Sequence, residues 1–274
     1  MKADLHNHSY YSDGVLSPSE VVKLANLARC ELFSLTDHDT TDGITEAKLE
    51  AAKLNLNFVN GVEISALWRN MTVHILGLGI DINNDVLQTG LEHNQKLRKD
   101  RAEKIALGLW RSGIKDALEK TQSFSKTEML TRTHFAQMLI SEGYCKDMKS
   151  VFRRYLTGKK PGGVSVKWKE FNEVIHWIHA AGGKALIAHP FRYRMTHTKI
   201  KTMLNDFKCE SGDGIEVVTG TSSDEEIQLG NQWAGKYNFI TTCGSDFHGW
   251  PNQRVRIGNL RDLPDPEKAV WRYL

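Results

Sequence analysis

Six apolar runs of strand length in this chain end at, or carry near their ends, side chains that bind metals. His6 and His8 close the first, in Ala3–Ser9, and Asp13 follows. Asp37-His38-Asp39 terminates Leu32–Thr36. Glu63 stands near the end of Phe58–Ile64, and His74 lies in Thr72–Ile80. His189 follows Lys184–Ala188, and Asp246 and His248 follow Phe239–Cys243. Packing alone does not explain imidazoles and carboxylates at so many strand ends. A fold in which parallel strands deliver their carboxyl ends to one face does.

Helical segments separate most of these runs. Ser17-Pro18-Ser19-Glu20 has the form of a capping box with proline just inside the helix, and Val21, Val22, Leu24, Ala25 and Ala28 follow at helical spacing. Ile44–Leu54, Phe171–Ala181, Lys199–Phe207 and Asp224–Tyr237 also read as helices, and Gly214–Val218, with Glu216, as a further strand. This alternation predicts an α/β barrel. It is interrupted between Asp85 and Val151, where the pattern is helical and includes the charged run KLRKDRAEK, read as a solvated helix face. The expected organisation is a barrel formed by residues 1–94 and 167–274, with an all-helical insertion, residues 95–166, covering its mouth.

At 274 residues and 40% hydrophobic content the chain can bury a substantial core. A net charge of +3 permits phosphate-bearing substrates without implying a basic nucleic-acid coat. Cys30, Cys145, Cys209 and Cys243 form no C-x-x-C pair, so free thiols in a reducing cytoplasm are expected. No run approaches the roughly 20 apolar residues needed to span a bilayer, and no secretory signal is visible.

His6 and His8 are two residues apart on a strand and so share a face. Asp4 shares it too and is expected to orient a histidine. Nine ligand-type side chains, His6, His8, Asp13, His38, Glu63, His74, His189, Asp246 and His248, are too many for one ion. They fit two or three, and donors without thiolate suit Mn, Fe or Zn. Clustered ions of this kind serve hydrolysis of phosphate esters.

The segments DLHNHSYYSDG, TDHDT, GVEIS, VHILGL, AHP and GSDFHG resemble, in order, the PHP family (polymerase and histidinol phosphatase). The resemblance implies a distorted (β/α)7 barrel with three ions, manganese being common. The first would take His6, His8, Glu63 and Asp246; the second would share Glu63 and add His74 and His189; the third would use Asp13, His38 and His248. The insertion, RTHFA, VFRRYLTGKKPGG and HPFRYR are similar to the ribonuclease AM branch of that family. That likeness implies a 5′→3′ exoribonuclease acting on ribosomal RNA 5′ ends and short oligonucleotides, and also on nucleoside 3′,5′-bisphosphates. Both activities break the same bond, so one site can serve both. Arg132, His134, Lys160 and Arg192 are the candidates for holding a terminal 5′-phosphate, with Tyr193 or Phe135 stacking on the base. A small-molecule phosphatase, such as one acting on histidinol phosphate, is the alternative. No membrane and no obligate protein partner is expected.

Overall fold

The computed structural model describes residues 1–250 and 254–274. Seven strands follow one another round a single sheet in chain order: β1 (Ala3–Asp4), β2 (Leu32–Leu35), β3 (Asn57–Trp68), β4 (Met71–Leu78), β5 (Lys184–Ile187), β6 (Gly214–Thr219) and β7 (Ile240–Gly244). The two edges meet. Leu5 N–H donates to Cys243 O at 3.0 Å, and Asp246 N–H to His6 O at 2.8 Å. The sheet therefore closes nearly into a barrel, its first and last strands meeting at this seam. Gly244 lies so close to the His6 backbone that any side chain there would collide with it; this close approach is what lets the seam form.

Helices α1 (Pro18–Leu27) and α2 (Ile44–Lys53) cover the first strands. The expected capping box starts α1: Ser17 Oγ accepts from Glu20 N–H, and Glu20 returns the bond to Ser17 N–H. Val21, Val22 and Ala25 then fall on one face, fully buried against Phe33 and Leu35.

One junction departs from strict alternation. No helix separates β3 from β4. Arg69 and Asn70 both have positive φ, 47° and 64°, the two-residue geometry that matches the twist of a tight hairpin. β4 consequently runs antiparallel to both β3 and β5. Periodicity identifies both strands but does not give their direction, which the turn decides.

The segment after β4 is helical throughout: α3 (Asp85–Arg111), α4 (Ala117–Gln122), α5 (Arg132–Ser141), α6 (Met148–Val151) and a π-helical turn, Phe152–Leu156. Residues of α3 belong to two cores. Leu87 and Leu91 join the barrel core, while Ala102, Ile105 and Leu109 pack with Phe135, Met138 and Leu139 of α5 in a second one. The expected boundary at residue 95 thus falls inside one unbroken helix. The chain returns through Trp168 to α7 (Phe171–Ala180), and α8 (His197–Cys209) and α9 (Asp224–Tyr237) complete the barrel's outer layer.

Asp39 ties α3 to the barrel. Its carboxylate accepts from Ser65 N–H at 2.8 Å, Asn94 Nδ2 at 2.8 Å and Arg98 Nε at 2.7 Å, and Arg98 also donates to Ser65 Oγ at 2.9 Å. Asp39 and Arg98 are both buried. Asp39→Ala strands a buried guanidinium, so unfolding in urea should show a loss of about 3–5 kcal/mol. Adding Arg98→Met to that variant should recover much of it. A loss below 1 kcal/mol in the single variant would mean that the pair does not fasten the helix.

Candidate metal centre

The predicted side chains converge at one end of the barrel, with Glu63 among them. Its Oε2 lies 3.2 Å from His6 Nε2, 3.3 Å from His8 Nε2 and 2.9 Å from His38 Nδ1. Its Oε1 is 2.9 Å from both His74 Nδ1 and His189 Nε2. Asp246 Oδ1 is 3.1 Å from His8 Nε2 and 3.5 Å from His6 Nε2. Asp13 Oδ1 is 3.2 Å from His248 Nε2 and 3.8 Å from His38 Nε2.

Three groups of donor atoms, each within 4.8 Å of one another, result: His6, His8, Glu63 and Asp246; His8, Asp13, His38 and His248; and His38, Glu63 and His74. The first is the set expected. The second contains the expected Asp13, His38 and His248 and adds His8. The third holds His38 beside Glu63 and His74, with His189 meeting the same Glu63 oxygen.

The residues fit divalent cations. His6 Nε2, His8 Nε2, His38 Nδ1, Asp13 Oδ1 and Glu63 Oε2 are buried within this cluster, yet none has a hydrogen-bond partner among the described residues. Polar atoms are seldom buried without partners, and cations shared among the three donor groups would satisfy them. Imidazole and carboxylate donors without sulfur suit Mn, Fe or Zn. Burial alone would raise the Glu63 carboxyl, but His38, His6 and His74 more than offset it and hold the group well below the usual range. Burial pushes His38 down to about 3 and His189 to about 4. Both shifts favour the neutral form in which imidazole ligates, whereas at His6 Glu216 and Glu63 outweigh burial and raise the ring to about 10.

A surrounding layer fixes these rings. Glu216 on β6 places Oε1 2.9 Å from His6 Nδ1 and accepts from His189 N–H at 2.7 Å. Asp37 accepts from Ser9 N–H, Ser9 Oγ and Ser12 Oγ at 2.6–2.8 Å, shaping the turn that carries Asp13. Asp4 does not orient a histidine as expected. It accepts from Asn7 Nδ2, Ser245 N–H and Gly258 N–H, and so stitches the barrel seam; Glu216 takes the expected role. His189 and Asp246 adopt φ of 30° and 55°, a conformation that costs energy for non-glycine residues and collects at functional sites.

A cavity of about 310 Å³ adjoins the Asp13, His38 and His74 side of the cluster. The insertion supplies its far wall: Arg101 of α3, Arg132 at the start of α5, and Phe152 of the π-helical turn, with Trp168 beside them. Arg98 and Arg101 lie over the Trp168 ring at 5.4 and 5.5 Å, and Arg132 lies 5.9 Å from the Phe152 ring. Arg101 is only 7% exposed, and its Nε has no hydrogen-bond partner among the described residues. Burial, together with the charges of Arg98 and Arg132, presses it well below the usual arginine range. A guanidinium does not release its proton in a protein, and Asp39 and Asp13 offset part of that pressure.

The four basic candidates are placed differently. Arg132 lines this cavity. Lys160 is exposed on the loop that follows the π-helical turn. Arg192 pairs with Asp246 and donates to Thr221 Oγ1 on the opposite flank. His134 Nδ1 accepts from Thr131 N–H in the α5 capping box, and its ring faces a different cavity. Phe135 is fully buried in the insertion core, so it cannot stack on a base, and the Tyr193 hydroxyl accepts from His74 N–H at 2.8 Å and donates to His74 O at 3.5 Å. The sequence reading missed Arg101, taking KLRKDRAEK for a solvated face. The signal was present: Leu91, Asn94, Arg98, Arg101, Ile105 and Leu109 recur at helical spacing and are all buried. Thr133, also on α5, donates to Asp13 Oδ2 at 3.0 Å, linking the insertion directly to the cluster.

Residues 4–187 match the model of the PHP domain. Two curated proteins align over nearly the whole chain. The 3′,5′-nucleoside bisphosphate phosphatase of Chromobacterium violaceum is 41% identical over 99% of this chain and 95% of its own length. The 5′-3′ exoribonuclease of Haemophilus influenzae is 37% identical over 98% of each. A solved amidohydrolase from Chromobacterium violaceum, with bound sulfate and no metal, superposes with a TM-score of 0.94 at 40% identity, covering 100% of this chain and 95% of that one.

Replacing Glu216 by Gln keeps the shape but removes the charge behind His6. Metal affinity, measured by competition with a chromogenic chelator, should fall roughly 10- to 100-fold. Unchanged affinity would show that Glu216 serves the fold alone.

Proposed function

The chain belongs to the PHP domain family, and from that premise we propose that it hydrolyses the 3′-phosphoester of 5′-phosphorylated nucleotides. It acts as a 5′→3′ exoribonuclease on RNA and as a phosphatase on nucleoside 3′,5′-bisphosphates. One observation carries this reading: a cavity bounded by Asp13, His38 and His74 on one side and by buried Arg101 and half-buried Arg132 on the other. A substrate filling it presents one anion to the arginines and a second to the donor cluster. Histidinol phosphate, with a single phosphate, leaves the arginine side unsatisfied.

Arg101 and Arg132 hold the terminal 5′-phosphate in this scheme, their planar forks gripping its oxygens. The amino end of α5, which starts at the cavity, adds its positive field. Phe152 and Trp168 bound the space left for the nucleoside. Lys160 stands on the loop at the margin, and Arg192, beside Asp246, meets oxygens of the scissile phosphate. His6, His8, Asp13, His38, Glu63, His74, His189, Asp246 and His248 hold three divalent ions, which we assign as manganese, and which supply Lewis-acid charge and an activated water when bound. The bond between the 3′-oxygen and phosphorus breaks. That oxygen departs with the 5′-nucleotide, and phosphorus stays with the remainder. For a bisphosphate the remainder is inorganic phosphate. For RNA it is a chain with a new 5′-phosphate, which is again a substrate. Trimming of ribosomal RNA ends follows from that repetition, and free thiols at Cys30, Cys145, Cys209 and Cys243 fit a cytoplasmic setting.

Incubation with manganese and 5′-phosphorylated RNA should release mononucleotides stepwise from the 5′ end. Internal fragments, or no release at all, would overturn the assignment. Arg101→Met should lower kcat/KM for a 3′,5′-bisphosphate by about 10²-fold, the loss expected from a charged hydrogen-bond pair. The matching 5′-hydroxyl 3′-phosphate should change less than threefold. Equal losses on both substrates would remove Arg101 from end recognition.

A further inference from the structure

A second cavity, of about 740 Å³, runs along the face of α5 that carries His134, Gln137 and Ser141. The barrel rim forms its other wall through Tyr10, Gly14, Val15 and Trp250. Trp250 joins this space to the donor cluster: its Nε1 donates to the Asp13 carbonyl at 2.7 Å, and its ring centroid lies 4.3 Å from that of His248. Phe124, 36% exposed, offers a second aromatic face. Lys126, Lys146 and Lys149 are exposed along the edge, and none has an ion-pair partner among the described residues. The one acid in the lining, Asp147, is engaged in capping α6 through Ser150 N–H.

We propose that this cavity binds the stretch of single-stranded RNA on the 3′ side of the scissile phosphate. The inference rests on the exoribonuclease reading above and adds the path of the polymer. The arginine cavity has room for little more than one nucleotide, so a longer substrate must continue elsewhere. The second cavity begins where Asp13 and His248 end, and its volume lies within the range of small-molecule sites. Aromatic faces with unpaired cations beside them are the chemistry of sequence-tolerant binding to single strands: bases stack, and lysines follow the phosphates. Bases stack on Trp250 and Phe124, and Lys146 and Lys149 meet the backbone. A nucleoside bisphosphate ends at the scissile phosphate and never reaches this surface.

The test compares two substrates on one variant. Lys146→Ala with Lys149→Ala alters exposed residues outside the donor cluster and the arginine cavity, and thermal unfolding verifies that the fold is kept. On a 5′-phosphorylated ten-nucleotide RNA, kcat/KM should fall about tenfold. The slope of log(kcat/KM) against log salt should flatten by about 1.4, two single-strand phosphate contacts having been lost. Hydrolysis of the bisphosphate should stay within twofold of the parent. Phe124→Ala should show the same split. If the parent degrades RNA and the variants do so equally well, the proposal is overturned and the groove is left to a protein segment. If RNA and bisphosphate rates fall together, it is overturned as well. Should the parent release nothing from RNA, the exoribonuclease reading fails first, a result distinct from either.

Discussion

A single buried carboxylate organises this molecule. Glu63 lies within 3.3 Å of donor nitrogens on five histidines, drawn from β4 and from the segments that follow β1, β2 and β5. Such a crowd is untenable as bare chemistry. Desolvation penalises the acid, and the imidazoles cannot all be protonated beside one another. The arrangement becomes consistent when cations share the donors, and the barrel exists in the form needed to bring those donors together. The seam stitched by Asp4, the contact of Gly244 with the His6 backbone, and the left-handed φ of His189 and Asp246 all follow from that requirement.

The insertion is part of this centre as much as a cover for it. Thr133 reaches Asp13, Asn94 and Arg98 reach Asp39, and Arg101 and Arg132 complete the cavity wall. Arginines on the insertion face the Asp13 carboxylate on the barrel across this cavity. A substrate with two phosphates about one nucleoside apart suits that division, and a substrate with one does not.

The side chains that converge here were legible in the sequence, because each is marked twice: by residue type and by its place at a strand end. His6 and His8 were legible through the two-residue period of a strand, and α1 through its capping box. The charged helix was harder. In KLRKDRAEK, composition suggests solvent, and only the helical phase shared with Leu91, Asn94, Ile105 and Leu109 shows that Arg98 and Arg101 turn inward. The reversal of β4 depends on two positive φ angles at Arg69 and Asn70, residues common in ordinary loops. Glu216 rather than Asp4 meets His6 because sequence gives the face of a strand but not which neighbour crosses the barrel to meet it.

Helix α3 runs without a break from the barrel core into the insertion core, and Gly108 near its end lets the Pro161 backbone lie directly against it. Two bodies mounted on one rigid rod do not open like a clamshell. Any hinge between them would have to break backbone hydrogen bonds inside that helix.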